Sequence, residues 1–204
     1  MNIRRHRPPN MLAVALLAAA AFCGCGQAAN HQDGPTLRMP GELAGEVIHV
    51  DDGDTLTLLD ADNFKRVVRL TDIDAPESSH GTQQSGQPYS GRATALLKSI
   101  TLNRQVTATC YDIDARRRND GKTRERYICR VFVAGIDANM AMLDAGMAMA
   151  YRQHPRYVRD KASFAHEDAA RSRRIGLWSQ TAPIPPWEWR KACWIRQQCD
   201  GAGN

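Results

Sequence analysis

The stretch VRLTDIDAPE, residues 68–77, joins the end of an apolar strand to an acidic loop. Arg69 interrupts the apolar strand, and Asp74 and Glu77 follow it closely. Segments rich in apolar and β-branched residues, separated by turns of Asp, Asn and Gly, predict three strands at Glu46–Val50, Thr55–Leu59 and Arg66–Leu70. Because the turns between them are tight, the quoted stretch ends a three-stranded β-meander.

The rest of the chain predicts two further strands and three helices. Alternation of apolar and polar residues indicates strands at Gln105–Tyr111 and Tyr127–Val133. Apolar residues at helical spacing indicate helices at Gly91–Ile100 (capped by Ser90), Asp137–Ala145 and Tyr157–Arg174. Five short strands with inserted helices predict an α+β fold, a closed five-stranded OB-type β-barrel with three helices, rather than a parallel α/β sheet.

Composition places the chain among globular proteins, but its total charge says little about function. Of 204 residues, 43% are hydrophobic and 24% are charged, which excludes a globally disordered chain. The formal net charge of +5 favours an anionic partner. The first 25 residues hold three Arg and no acid, so the remainder keeps 24 basic against 22 acidic residues. A case for nucleic acid must therefore depend on where the charges lie.

The N-terminus has the pattern of an export signal over residues 1–25. Basic residues precede the apolar run Met11–Phe22, which is too short for a bilayer because spanning takes about 20 residues. Gly24 before Cys25 resembles an imperfect lipobox, so lipidation at Cys25 is slightly favoured over ordinary cleavage near Ala28. Either route predicts an exported protein, in the periplasm, as an outer-membrane lipoprotein or outside the cell.

Three regions are expected after the signal: a polar tether, a globular domain and an extension rich in Pro, Trp and Cys, at 26–44, 45–180 and 181–204. The extension is expected to be an extended segment packed on the domain. Four cysteines remain after Cys25, and in an oxidising compartment they allow three disulfide pairings. Cys110–Cys129 with Cys193–Cys199 is preferred. A zinc site, or two buried free thiols for the first pair, are the alternatives.

Carboxylates and arginines concentrate around the first three strands. The acidic turn at 51–54 and the acidic loop at 72–77 can supply the oxygen ligands that Ca²⁺ or Mg²⁺ prefers. Phosphodiester cleavage also needs a base for water and a positive donor for the developing charge. The planar fork of Arg69 suits phosphate, and further arginines lie within 116–126. Each element alone is a common turn or solvated surface, but together they predict metal-dependent phosphoryl chemistry.

Four motifs in this order resemble the staphylococcal nuclease (thermonuclease) family: Val50–Thr55, Val68–Glu77, Arg126 ahead of Val131 and Gly135, and Ile175–Ser179. The spacing Arg-x-x-x-x-Asp-x-Pro-Glu is the most specific of them, and the likeness runs from about Gly45 to Ser179. The resemblance implies a five-stranded OB barrel with three helices that cleaves DNA and RNA with Ca²⁺ and leaves 3′-phosphate ends. We also expect a monomer.

The resemblance assigns roles to the acidic residues. By position, Asp54 and Asp74 correspond to carboxylate ligands of the cation, and the backbone carbonyl of Ala75 to a third ligand. A carbonyl ligand does not depend on its side chain, so Ala75 fits although Thr is common there in the best-known member. Asp52 corresponds to a carboxylate behind these ligands, and Glu77 to the general base or water-orienting group.

The resemblance also assigns roles to basic and aromatic residues. Arg69 and Arg126 correspond to the groups that hold the scissile phosphate and stabilise the transition state. Arg126 is chosen because its distance to Gly135 matches the family, while the family's usual Tyr and Gly before it are replaced here. Arg124 shares its strand parity, is the alternative, and is expected to contact substrate. Tyr151 falls where family members place an aromatic ring beside the bound nucleotide.

The rival function is an OB-fold module that binds single-stranded nucleic acid without cleavage. A binding module needs basic and aromatic groups, whereas a cage of carboxylates without a cation would repel phosphate. Retention of Asp54, Arg69, Asp74 and Glu77 together therefore favours the enzyme. A lipid-anchored envelope scaffold would account for the N-terminus but not for the pattern of acids and arginines.

Overall fold

The computed structural model describes residues 41–117, 121, 123–153 and 158–199. The expected export signal, most of the tether and the lipidation candidate Cys25 lie outside these ranges. Within the described ranges, no helix is both long enough and apolar enough to cross a membrane. The first strand begins at Gly41, so the last residues of the expected tether belong to the barrel.

The described residues form eight strands, three of which are only two residues long. In chain order they are β1 (Gly41–Val50), β2 (Thr55–Asp60), β3 (Lys65–Leu70), β4 (Ile73–Asp74), β5 (Gln105–Arg117), β6 (Thr123–Val133), β7 (Ile136–Asp137) and β8 (Met149–Ala150). Strands β3, β2, β1, β5 and β6 pair antiparallel in that order. A parallel pairing of β3 with β6 closes the five strands into a barrel, which confirms the predicted fold class.

Three helices accompany the barrel, as predicted: α1 (Ser90–Thr101), α2 (Ala138–Asp144) and α3 (Ala162–Ser172). A 3₁₀ helix at Gly176–Ser179 follows α3. The chain then forms a single turn of helix, α4 (Pro186–Trp189), which continues into a π-helical turn at Arg190–Ile195. The residues from Pro186 to Cys199 are called the C-terminal segment below.

One apolar core fills the barrel and extends under α1 and α2. Side chains on β6 alternate between buried and partly exposed along its second half, with Tyr127, Cys129, Val131 and Val133 in the core. On β3, Val68 and Leu70 are buried in the same core. Because neighbouring side chains on a strand point to opposite faces, Arg69 between them projects away from the core.

Both preferred disulfides are confirmed. Cys110 on β5 lies opposite Cys129 on β6, and both are fully buried, so their bond joins two neighbouring core strands. Cys193 and Cys199 are only six residues apart in sequence, and their bond closes a small loop within the C-terminal segment.

Three local expectations were wrong. Ser90 lies inside α1 rather than capping it, because Tyr89, with a left-handed φ of 74°, takes the capping position. Helix α3 begins at Ala162 rather than at residue 157, and the side chain of Asp160 accepts a hydrogen bond from the Ala162 N–H. The C-terminal segment is helical from Pro186 to Ile195 rather than extended. The helix tolerates Pro186 because this residue occupies the first helical position, where its missing N–H breaks no hydrogen bond.

Strands β5 and β6 are longer than the sequence predicted. They pair from Thr107 with Phe132 to Arg117 with Thr123, so Arg124 and Arg126 lie within β6 rather than in a loop before it. The first residues of β6 are exposed. With solvent on both sides, this end of the hairpin needs no alternation of apolar residues, so the sequence pattern did not reveal it.

Candidate active site

The acidic turn between β1 and β2 packs against the residues that follow β4. Gly53 permits this approach, because a Cβ atom there would lie 2.7 Å from the Cβ atoms of both Ala75 and Ala93. The Ala75 N–H donates a 2.8 Å hydrogen bond to Oδ2 of Asp54. The Leu70 N–H donates to the Asp54 carbonyl at 2.8 Å. The glycine therefore lets Asp54 reach the end of β3 and the loop beyond it.

Arg69 joins the two aspartates that the sequence assigned to a cation. Its Nη1 lies 2.7 Å from Oδ1 of Asp54, and its Nη2 donates a hydrogen bond to Oδ1 of Asp74. Both aspartates are buried, with Asp74 inaccessible and Asp54 only 2% exposed. Since one guanidinium group contacts both carboxylates, the fold brings these three predicted residues into one cluster.

Burial dominates the electrostatics of this cluster. Burial raises the pKa of Asp54 well above its usual range, Asp52 and Asp74 add to the rise, and Arg69 opposes it. Burial also lowers the pKa of Arg69, but the charges of Asp54 and Asp74 outweigh that effect, so its pKa is raised and it stays protonated. A buried carboxylate keeps its charge only beside a cationic partner, so Asp54 depends on a positive group.

The site contains oxygen atoms of the type that a hard cation such as Ca²⁺ prefers, on carboxylates that arginine side chains contact. Carboxylate oxygens of Asp54 and Asp74 converge on one guanidinium group, and Ala75 comes next in the chain. Carboxylate and carbonyl oxygens are the ligands that Ca²⁺ prefers. The described part of the chain contains no cluster of three or more His, Cys, Asp and Glu side chains that could hold a metal. A cation here would therefore rely on the two aspartates, the Ala75 carbonyl and water.

Arg190, which the sequence analysis missed, reaches the site from the C-terminal segment. Its Nη2 lies 2.7 Å from Oδ2 of Asp74, and its Nη1 lies 3.1 Å from Oδ1 of the same residue. Nη1 also donates to Oε1 of Glu77. Burial raises the pKa of Glu77, Arg190 opposes the rise, and Asp74 adds to it. The signal in the sequence was PPWEWR at 185–190, a cation beside tryptophans in a segment expected to pack on the domain.

The remaining predicted residues have other partners. Arg126 pairs through Nη2 with Oδ2 of Asp114 on β5 at 2.6 Å, rather than with the carboxylates of the site. Arg124 is exposed near the start of β6. Tyr151 lies edge-on to Trp187 of the C-terminal segment, with ring centroids 6.0 Å apart. Asp52 lies behind the site, where its Oδ1 accepts a hydrogen bond from the Asp54 N–H.

Comparison with known proteins identifies the family. Residues 67–180, more than half of the chain, match the family model described as staphylococcal nuclease homologue. The chain belongs to the staphylococcal nuclease family. The matched residues include the β3 strand with Arg69, the acidic loop after it and Arg126 on β6. Arg190 lies beyond the end of the match, in a segment that the staphylococcal nuclease model does not cover.

Several known proteins are about one-third identical in sequence to this chain over most of its length. A micrococcal nuclease of Shigella flexneri is 35% identical over 155 residues, covering 74% of this chain and 82% of that protein. An uncharacterized endonuclease of Escherichia coli O157:H7 is 33% identical, covering 73% and 86%. An uncharacterized endonuclease of Haemophilus influenzae is 32% identical, covering 71% of each chain. The family predicted from the four sequence motifs is thus confirmed.

Proposed function

We propose that this member of the staphylococcal nuclease family is an exported, Ca²⁺-dependent nuclease. It hydrolyses phosphodiester bonds of DNA and RNA with little sequence specificity and leaves 3′-phosphate ends. The observation that carries the proposal is the cluster of Asp54, Arg69, Asp74 and Glu77, in which largely buried carboxylates converge on guanidinium groups. Relatives named as a nuclease and as endonucleases support the same class of reaction.

The balance of charge at the site supports a divalent cation. Three carboxylates there contact two guanidinium groups, so negative charge is in excess when all three carboxylates are ionised. Because a phosphodiester is also an anion, such a site would repel it without a further positive charge. Ca²⁺ held by Asp54, Asp74 and the Ala75 carbonyl would neutralise the excess and polarise a phosphate oxygen.

The side chains of the cluster have distinct tasks in the proposed reaction. Glu77 lies beside Asp74 and accepts a proton from the attacking water, which requires its carboxylate to be ionised. Arg69, which stays protonated, donates to the phosphate and stabilises the charge of the transition state, which requires it to release at least one of its two aspartates. Arg126 acts as the second phosphate-binding arginine, which requires it to exchange Asp114 for the substrate. Arg124 contacts the substrate further along β6.

An aromatic group supports binding of nucleic acid with little sequence preference. Tyr151 and Trp187 place two rings beside each other, one from the domain and one from the C-terminal segment. Stacking on an aromatic ring accepts any base, because every base presents a π-face. We therefore assign Tyr151 to contact with a base of the substrate.

Export and lipid attachment rest on the N-terminal sequence. The two disulfides support an oxidising compartment, since they are rare in the cytosol. We propose that the protein acts as a monomer in the periplasm, on the outer membrane through a lipid at Cys25, or outside the cell. Mass spectrometry of the native N-terminus distinguishes lipidated Cys25 from cleavage near Ala28.

Cleavage assays with the purified full-length chain test the proposed reaction. With Ca²⁺, we expect degradation of RNA and of single-stranded and heat-denatured DNA. The products should be extendable by a polymerase only after phosphatase treatment, because their 3′ ends carry phosphate. A chelator should stop the reaction. Binding of nucleic acid by a folded sample without Ca²⁺-dependent cleavage would contradict the proposal and favour the binding module.

Two arginines on β6 provide a matched pair that tests the second phosphate contact. We expect Arg126→Ala to lower kcat by roughly 10²–10³-fold, the usual cost of one transition-state donor. Arg124→Ala should mainly raise KM, because its proposed contact is made equally in the ground state and the transition state. Steady-state kinetics on one oligonucleotide measure both. A loss of kcat in Arg124→Ala without one in Arg126→Ala would reverse the assignment.

A further inference from the structure

Arg190 is the side chain of the C-terminal segment that enters the cluster described above. Its guanidinium group contacts both carboxylate oxygens of Asp74 and one oxygen of Glu77. The Arg190 side chain is 29% exposed, whereas those of Asp74 and Glu77 are 0% and 12% exposed. One fork therefore bridges a ligand carboxylate and the carboxylate assigned as general base.

The segment that carries Arg190 is fastened to the loop that follows Glu77. The indole N–H groups of Trp189 and Trp194 both donate to the carbonyl oxygen of Ser85, at 3.1 and 2.9 Å. Just before the segment, the Ile184 carbonyl accepts a hydrogen bond from the Gln87 side chain at 2.6 Å. Anchors on both sides of Arg190 fix its backbone relative to Glu77, so its contacts do not depend on a free chain end.

The guanidinium group of Arg190 bridges two carboxylates that would otherwise repel each other. The carboxylates of Asp74 and Glu77 both contact the same guanidinium group, whose positive charge between them offsets the repulsion of two like charges. Arginine suits the position because its planar fork donates in fixed directions to two acceptors at once. A lysine ammonium is a point charge on a flexible stem and would orient the two carboxylates less well.

Resting on the proposed nuclease function, we propose that Arg190 is a positioning residue of the active site. It holds the carboxylate of Glu77 in a fixed orientation beside Asp74, so that the base and the cation ligands keep the spacing that the reaction needs. The C-terminal segment then contributes to catalysis, although it lies beyond the region that the family model matches.

The test compares Arg190→Ala, Arg190→Lys and the matched control Lys191→Ala, an exposed cation one residue along the same turn. At saturating Ca²⁺ and substrate, we expect Arg190→Ala to lower kcat by roughly 10–100-fold, the usual cost of losing a residue that orients a ligand or base. KM should change much less. Arg190→Lys should recover part of the loss, and Lys191→Ala should match the wild type. Near-ultraviolet circular dichroism of the tryptophans checks that each variant keeps the segment docked.

Calorimetric titration with Ca²⁺ provides a readout besides activity. The dissociation constant of Arg190→Ala should be no larger than that of Lys191→Ala, because the aspartates and the Ala75 carbonyl remain and a cation that contacts Asp74 is removed. A kcat equal to or above that of the control would overturn the inference, as would a loss that weaker Ca²⁺ binding fully explains. If the wild type itself cleaves nothing, the proposed function fails as well. If the wild type cleaves and Arg190→Ala cleaves equally fast, only the proposed role of Arg190 is contradicted.

Discussion

Two regions of the molecule deliver an arginine to the same carboxylate by different means. Arg69 is five residues from Asp74 and reaches it from the strand that leads into the acidic loop. Arg190 is 116 residues from Asp74 and reaches it from a short helical segment at the other end of the domain. The first contact follows from local sequence spacing, and the second exists only once the C-terminal segment has docked.

The two regions also differ in how they are held. Strand β3 pairs with β2 on one side and with β6 on the other, and its inward side chains lie in the main core. The C-terminal segment depends on Trp189, on hydrogen bonds to Ser85 and on the Cys193–Cys199 disulfide. We therefore expect changes in the segment to leave the barrel folded, whereas changes in the barrel disturb both regions.

The largest expected effect comes from the barrel side of this comparison. Arg69→Ala should lower turnover by at least roughly 10²–10³-fold, because it removes a transition-state donor and also leaves Asp54 without its cationic partner. Arg66→Ala is the matched control, since Arg66 lies on the same strand but pairs with Asp60. Steady-state cleavage rates should separate the two variants, and equal losses would show that the effect of Arg69 is structural.

Removal of one disulfide should mainly lower stability, whereas removal of the other should mainly lower activity. Removing Cys110–Cys129, which links residues 19 apart, should lower the free energy of unfolding by about 3 kcal/mol in the chain-entropy model. Its effect on the turnover of folded protein should be small. Removing Cys193–Cys199, six residues apart, should cost roughly 2 kcal/mol at most, yet lower turnover by about 10-fold through Arg190.

Paired Cys→Ser variants test this contrast by denaturant unfolding and by cleavage rates. The barrel variant is expected to lose more stability, and the segment variant more turnover. If removal of Cys193–Cys199 leaves turnover unchanged, the segment stays docked without its disulfide or contributes nothing to the reaction. Trp189→Ala, which removes a buried anchor, distinguishes these two explanations.

A smaller effect should be visible in the dependence of cleavage on pH. Burial raises the pKa of Glu77, and the base must be ionised to accept a proton. As the pH falls, kcat/KM should therefore decline at a pH above the ordinary glutamate pKa of about 4.3. Glu77→Gln should lose the part of this decline that Glu77 causes, and should keep the part due to Asp54, whose pKa burial also raises. A wild-type profile that stays flat to below the ordinary value would exclude Glu77 as the base.

The same raised pKa predicts a dependence of stability on pH. A carboxylate whose pKa is raised by folding contributes stability below its unfolded pKa, and that contribution is lost as the pH rises through the folded pKa. Glu77→Gln should therefore gain thermal stability relative to the wild type as the pH rises from acidic to neutral. Melting temperatures of both proteins measured over this pH range test the prediction. A wild-type melting temperature that rises relative to that of Glu77→Gln would contradict it.

Much of the barrel could be predicted from the sequence because its determinants are local. Alternation located the core face of β6 and with it Cys129, and the family motif located Arg69, Asp74 and Glu77 together. Arg190 could not be found in this way, because its role depends on where a distant segment docks. The helical form of that segment differs from the prediction, since a high density of proline and tryptophan favours an extended chain.

We infer that the cluster around Asp74 hydrolyses phosphodiester bonds with Glu77 as the base. The most direct measurement is single-turnover cleavage of a DNA oligonucleotide by Glu77→Gln at saturating Ca²⁺, with Glu46→Gln, an exposed glutamate of β1, as the control. Glu77→Gln is expected to bind Ca²⁺ and DNA still but to cleave roughly 10²–10⁴-fold more slowly, the usual value of a positioned base. Cleavage by Glu77→Gln at the rate of the control would contradict it.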